Sequence, residues 1–148
     1  MDKTSISVFC PATIANLSCG FDVLGLALEG VGDRMVVKLS ERAGVRITRI
    51  TGGDLPTEAE KNVAGVAAMS LLAASEYQGG VEIEIEKHIL PGSGIGSSAA
   101  SAAGAVWALN RLLGDPFSLP QLVSFAVAGE ALASGTPHAD NVAPALYG

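Results

Sequence analysis

Strand-like alternation and helix-like periodicity occur in one chain here, and together they predict a packed domain of α/β or α+β class. Three observations carry that expectation. Residues 81–87, Val-Glu-Ile-Glu-Ile-Glu-Lys, alternate apolar and charged side chains, as a strand does when one face is buried and the other solvated. Residues 63–77 place Val63, Val66, Met69, Leu72 and Ala73 at near-helical spacing. Of the 148 residues 49% are hydrophobic and only 16% charged. That composition suits one domain burying roughly two-thirds of its unfolded surface.

Taken in order, residues 5–10 alternate with Ile6 and Val8 on one face, and Pro11 is expected to end this first strand. Residues 11–22 read as a polar loop of small residues carrying Asn16 and Asp22, and 23–28 as a short buried strand. Strands over 34–40 and 45–50, with a turn at Ala43-Gly44, fit an antiparallel meander. After a loop over 51–60, Asn62 is placed to cap a helix to about Tyr77, which Gly79-Gly80 ends. The alternating strand then leads into a glycine-rich loop and a second helix, about 98–113, whose first residues are no larger than alanine or serine. Gly114-Asp-Pro-Phe117 is a turn. Ser118-Leu-Pro-Gln121 forms a capping box, so a third helix starts sharply at Leu119 and runs to about Ala133. The polar loop 134–141 precedes an apolar tail, 142–148, and that apolar ending predicts that the natural chain continues.

The formal charge of −6 comes with no basic run. Such a chain has no electrostatic footprint for nucleic acid and would be repelled by an anionic membrane surface. Its opening shows neither an apolar run of signal-peptide length nor a cleavage site, and no stretch approaches the roughly 20 residues of a membrane span, so a cytoplasmic protein is expected. Cys10 and Cys19, spaced as neither a zinc site nor a redox pair, are expected to be buried free thiols.

Gly92, Gly94 and Gly96 lie directly ahead of the second helix. Glycines take positive φ without a Cβ clash, so successive amides can turn towards one point, and the helix's first amides lack intrahelical partners. The pattern predicts an anion cradle suited to phosphate. Three loop designs compete for it. A Walker A loop needs Lys-Ser or Lys-Thr after its last glycine, and Ser97-Ser98 stands there instead. Gly94-Ile-Gly-Ser-Ser-Ala99 matches the dinucleotide fingerprint, but a first Rossmann strand is continuously apolar, whereas this one carries Glu82, Glu84 and Glu86. Asp115, at the offset of the ribose-binding acid, has no strand before it.

Glu130 is the only formally charged residue between Asp115 and Asp140 and lies in an apolar helix. Buried alone it would cost several kcal/mol, so it calls for a divalent cation or an arginine, unless the helix turns it to water. His138, Asp140 and Asn141 make a dense polar cluster, readable as a helix-capping turn or as a recognition site.

The third design is a resemblance: Pro91-Gly-Ser-Gly-Ile-Gly-Ser-Ser-Ala-Ala100 resembles the phosphate motif of the GHMP kinases, the superfamily of galactokinase, homoserine kinase, mevalonate kinase and phosphomevalonate kinase. Residues 11–28 resemble the substrate motif of the homoserine kinases within it, and residues 135–146 resemble their third motif. Ile95, where leucine is commoner, and Ser18-Cys19, where Gly-Pro is common, are departures.

The resemblance implies an α+β fold: a mixed, mainly antiparallel sheet packed with helices, a left-handed β-α-β crossover, and the glycine loop at a helix N-terminus. It implies that residues 1–148 are an N-terminal ATP-binding domain whose C-terminal partner is absent, inactive alone, and from an enzyme that phosphorylates the L-homoserine hydroxyl in threonine biosynthesis. On that reading ATP would lie against Pro91, Gly92, Ser93, Gly94, Ile95, Gly96, Ser97, Ser98, Ala99 and Ala100, with Asn62 near the adenine or simply capping its helix. Ser98 and Glu130 would hold Mg²⁺. Asn16, Asp22, His138 and Asp140 would contact homoserine, and Asp140 or Asn141 would meet its hydroxyl or steady the transferred phosphoryl group, with no general base assigned. A homodimer is implied as possible. Rival readings are another alcohol of the superfamily, such as mevalonate, shikimate or a sugar, and a nucleotide-binding module without transfer activity.

Overall fold

The computed structural model describes residues 4–148; residues 1–3, part of the opening in which no signal peptide is expected, lie outside it. Strands β1 (Ser5–Ala15), β2 (Gly25–Ser40), β3 (Gly44–Thr51) and β4 (Gly80–Glu86) form one sheet in the order β1-β2-β4-β3. Helices α1 (Val63–Ala74), α2 (Ser97–Leu112), α3 (Leu119–Ser134) and α4 (Val142–Tyr147) pack with it and with one another. The mixed sheet expected from the sequence is therefore present. The meander is not: β4 lies between β2 and β3, antiparallel to the first and parallel to the second. A parallel neighbour needs a crossover, and α1 supplies it between β3 and β4.

Alternation decides which face of each strand enters the core. Val81, Ile83 and Ile85 of β4 are buried, as are Met35 and Val37 of β2. Glu82 and Glu84 lie on the outer face, where Arg46 and Lys38 meet them. These exposed pairs contribute little to stability, typically under about 1 kcal/mol each.

Several boundaries differ from the expectation. Pro11 does not end β1, which continues to Ala15. β1 is an edge strand, where a residue without an N–H breaks no ladder. Its register with β2 slips between Pro11 and Thr13, so that Pro11 pairs with Gly32 but Thr13 with Ala27. Residues 23–28 are not a buried strand: Val23 is 81% exposed and β2 starts only at Gly25. Helix α1 stops at Ala74, where the Ser75 amide and hydroxyl both donate to the Leu72 carbonyl. Cys10 is buried as expected, and burial pushes its thiol up to about 12, but Cys19 is exposed. The apolar tail folds as α4.

The capping box at Ser118 is formed, with Gln121 Oε1 accepting from the Ser118 amide at 2.9 Å. Asn62 caps α1 by accepting from the Ala64 amide at 3.0 Å.

The sequence reading missed a buried ion pair. Asp33 of β2 and Lys87, just past β4, have side chains only 1% exposed and pair directly on the inner face. Asp33 Oδ1 also accepts from the amides of His88 and Ile89, at 2.6 and 2.8 Å. Lys87 Nζ donates in addition to the Ser97 carbonyl at 3.0 Å and to Ser101 Oγ at 3.1 Å. The pair thus ties the entry of the glycine loop to the first turn of α2. Removing one partner leaves the other charge buried, so Lys87→Met and Asp33→Asn are each expected to lose about 3 kcal/mol of unfolding free energy in urea. Losses below about 1 kcal/mol for both would show that the pair does not hold the loop.

Candidate functional site

Residues 90–96 form a loop between β4 and α2 in which Gly92, Gly94 and Gly96 have φ of 81°, 79° and 70°. At Gly92 and Gly94 an added Cβ would meet nothing within 4 Å, so these two are glycines for backbone conformation alone. At Gly96 space also matters: a Cβ would sit 2.0 Å from Thr13 Oγ1. Gly96 occupies the N-cap position of α2 without a side chain to offer, and the first intrahelical bond runs from the Ala100 amide to the Gly96 carbonyl. The amides of Ser97, Ser98 and Ala99 are thus left without helical acceptors at the positive end of the dipole.

A cavity of about 490 Å³ opens over this loop. Pro91, Gly92, Gly94, Gly96, Ser97 and Ser98 line it, together with Asn62, Glu130 and Asn141 from three other segments. The fold therefore gathers most of the predicted phosphate residues with the two predicted metal residues and one predicted catalytic residue. Ser93 and Ile95 belong to the same loop without lining the cavity, and Ala99 and Ala100 are buried in α2. Their small side chains let the helix approach: at Gly104, one turn further on, a Cβ would stand 2.1 Å from Cys10 Sγ of β1.

The two serines separate in role. Ser97 Oγ donates to the Ile89 carbonyl at 3.1 Å and closes the loop on itself. Ser98 Oγ instead donates to Glu130 Oε1 across the cavity, at 3.0 Å. Glu130 Oε2, among the described residues, is the one buried side-chain oxygen or nitrogen without a hydrogen-bond partner. Burial pushes the Glu130 carboxyl above its ordinary range, with the Asp140 charge adding to the rise and the Ser98 hydrogen bond and His138 opposing it. Among the described residues no arginine meets this carboxylate, which lines the cavity.

The donor set fits a hard cation. An unpartnered carboxylate oxygen beside a hydroxyl offers the oxygens Mg²⁺ takes from protein, the remainder coming from phosphate and water. Among the described residues no three His, Cys, Asp or Glu side chains converge to hold a metal by themselves.

Of the remaining predicted residues, Asp22 and Asp140 line a second hollow of about 460 Å³ at the start of β2, while Asn16 and His138 do not line it. His138 Nδ1 stands 3.7 Å from Asp22 Oδ1. Asn16 has a local task, its Oδ1 accepting from the Asp22 amide at 2.7 Å. Asn16, Leu17, Ser18 and Asp22 all have positive φ, a conformation costing a side-chain-bearing residue about 1–2 kcal/mol. Amides at both ends hold this turn, Asn16 donating to the Leu24 carbonyl at 2.7 Å and Gly20 to that of Asn16 at 2.8 Å. Asn141 stands at the N-cap position of α4, but its side chain makes no capping bond.

Comparison with known proteins places this geometry. Residues 61–148 match the family described as the GHMP kinases N terminal domain. A homoserine kinase of Xanthomonas campestris pv. campestris is 49% identical over 142 residues, covering 95% of this chain and 44% of that protein. One from Methanococcus vannielii is 42% identical, covering 97% of this chain and 48% of its own length. The crystal structure of a homoserine kinase from Cytophaga hutchinsonii superposes with a TM-score of 0.94 at 51% identity, over 100% of this chain and 48% of that one. A mevalonate kinase structure at 14% identity and a TM-score of 0.73 shares the fold. The chain spans about half the length of the curated relatives it matches. It belongs to the GHMP kinase family.

Because the Glu130 carboxyl is raised, its contribution to stability is present below the ordinary carboxylate range and lost as pH rises through its folded value. Glu130→Gln, which escapes that loss, is expected to melt a few degrees above the wild type at pH 7 without divalent cation and level with it near pH 4. Thermal denaturation at both pH values decides it, and a Gln variant less stable than wild type at pH 7 would show that the carboxylate is satisfied as it stands.

Proposed function

We propose that this chain is the N-terminal, ATP-binding domain of a homoserine kinase, which transfers the γ-phosphoryl group of ATP to the side-chain hydroxyl of L-homoserine. The observation that carries this reading is the convergence, in one cavity, of a glycine-loop phosphate cradle, a carboxylate with one unpartnered oxygen beside a hydroxyl, and a polar carboxamide. The identity to homoserine kinases along nearly the whole chain supports homoserine as the acceptor. Domain organisation follows the same reading, with residues 1–148 forming the first half of a two-domain enzyme in the threonine pathway.

In this mechanism the amides and dipole at the start of α2 take the phosphates of ATP, with residues 91–100 enclosing them. Asn62 lines the same cavity, placed to border the nucleotide while its Oδ1 caps α1. Ser98 and Glu130 would hold Mg²⁺, which when bound supplies positive charge against the β- and γ-phosphate oxygens. Asp22 suits the substrate ammonium, with Asn16 fixing the Asp22 backbone and His138 close by. Asp140 and Asn141 face the hydroxyl and the transferring group. No general base is required, because the loose transition state of phosphoryl transfer asks chiefly for alignment and charge stabilisation.

Magnesium, the homodimer and a cytoplasmic location belong to this proposal; among the described residues no helix is long and apolar enough to cross a membrane. The test is a coupled ADP-release assay on the full-length protein with homoserine, mevalonate, shikimate and galactose in turn. Homoserine is expected to give a kcat/KM at least about 100-fold above the others, as hydrogen-bonded recognition of a small polar substrate provides. Preference for another alcohol would move the protein within the family, and nucleotide binding with no accelerated release would make it a binding module.

A further inference from the structure

Thr13 lies outside every role assigned so far, yet it bonds both to the glycine loop and to Asn141. Its side chain is fully buried, 0% exposed, in a strand whose alternation would have turned it outwards. Val8, Cys10 and Ala12 face the core, so regular pleating would bury Ile14 next. The register slip between Pro11 and Thr13 reverses this: Thr13 turns in and Ile14 is left 36% exposed. A break in register that re-aims one side chain is a recurrent feature beside active sites.

Two hydrogen bonds use that placement. The Thr13 amide donates to the Ile95 carbonyl at 3.0 Å, fastening the glycine loop to the free edge of β1. The Thr13 hydroxyl donates to Asn141 Oδ1 at 2.8 Å. Gly96 closes the triangle, since any Cβ there would collide with this hydroxyl. The side-chain carbonyl oxygen of Asn141 is engaged by Thr13 and makes no capping bond, and among the described residues its Nδ2 hydrogens have no protein acceptor, in a residue that lines the cavity.

We infer that Thr13 is a positioning residue, which locks the Asn141 carboxamide so that it presents N–H donors to the transferring phosphoryl group, in register with the phosphate loop. The inference rests on the kinase reading above. It makes Asn141 an electrostatic stabiliser of developing charge and not a proton acceptor, and it explains why a threonine with both an amide and a hydroxyl stands at a bulge.

The test compares Thr13→Val, which keeps the amide and the shape but removes the hydroxyl, with Thr13→Ser, which keeps the hydroxyl, in the full-length enzyme. Thr13→Val is expected to lower kcat about 10-fold or more with KM for ATP within about 3-fold, and Thr13→Ser to stay within about 3-fold of wild type in both. Adding Thr13→Val to Asn141→Ala should cost nothing further in kcat, because both changes remove one arrangement. Independent, multiplying losses would overturn the inference, as would a serine variant as impaired as the valine. A second measurement needs no turnover: the Tm losses of Thr13→Val and Asn141→Ala should be non-additive. If the wild type phosphorylates none of the alcohols, the kinase reading falls while this thermal cycle still decides the contact; additive Tm losses with normal kinase activity remove the contact alone.

Discussion

The buried pair of Asp33 and Lys87 is the constraint on which the site depends. Two charges removed from water gain little net stability unless every remaining donor and acceptor is used. Here they are: Asp33 accepts from Lys87 and from two backbone amides, and the three protons of Lys87 go to Asp33, the Ser97 carbonyl and Ser101. Those partners lie at residues 88–89 and 97–101, the two ends of the phosphate loop. A loop whose glycines take φ values open to few other residues has little intrinsic preference for one shape. Pinning both its ends supplies that preference at a point remote from solvent.

This arrangement also fixes what Lys87 cannot do. It lines the cavity beside the cradle, where a lysine would ordinarily be taken for a phosphate ligand. All its donors are already engaged, and its charge is balanced by Asp33 at direct contact. Lys87 is thereby a brace for the loop, and the cradle itself consists of neutral dipoles.

Much of this was legible in the sequence, and where it was not the reason is geometric. The glycine spacing pointed to the cradle, and the isolation of Glu130 among apolar residues marked a carboxylate in need of a partner or of water, which the structure places against Ser98 with its second oxygen unpartnered. The ion pair was legible too and was missed: Val81, Ile83 and Ile85 point inwards, so the same period of two carries on to Lys87, as Met35 and Val37 lead back to Asp33. Thr13 was not legible, because the register slip that turns it inwards depends on pairing with residues 25–32, and a local pattern cannot report a distant partner. The strand order escaped for a similar reason. The turn at Ala43-Gly44 looks like a hairpin, and only the later arrival of β4 between β2 and β3 makes it a wider connection. The exposed 23–28 segment shows the converse error, since apolar composition alone does not establish burial.

A cradle of neutral dipoles in a chain of net charge −6 sets an electrostatic requirement that the rest of the site can be weighed against. Amides and a helix N-terminus offset roughly half a unit of charge, far short of a triphosphate. The missing P-loop lysine is not replaced by Lys87, for the reason above. Lys61 also lines the cavity, but it is exposed and paired with Glu58. On the proposed reading a cation brought with the nucleotide would supply the remaining positive charge, and the protein would need only to hold it at the edge of the cradle. Glu130 would meet this need: burial raises its carboxyl, and the energy lost by ionising it alone would be recovered on the arrival of a cation. Ser98 joins the two parts, being at once in the first turn of α2 and hydrogen-bonded to Glu130. On that reading the lysine missing from the loop and the isolated glutamate, which look unrelated along the chain, would be two consequences of one division of labour between dipoles and a mobile cation.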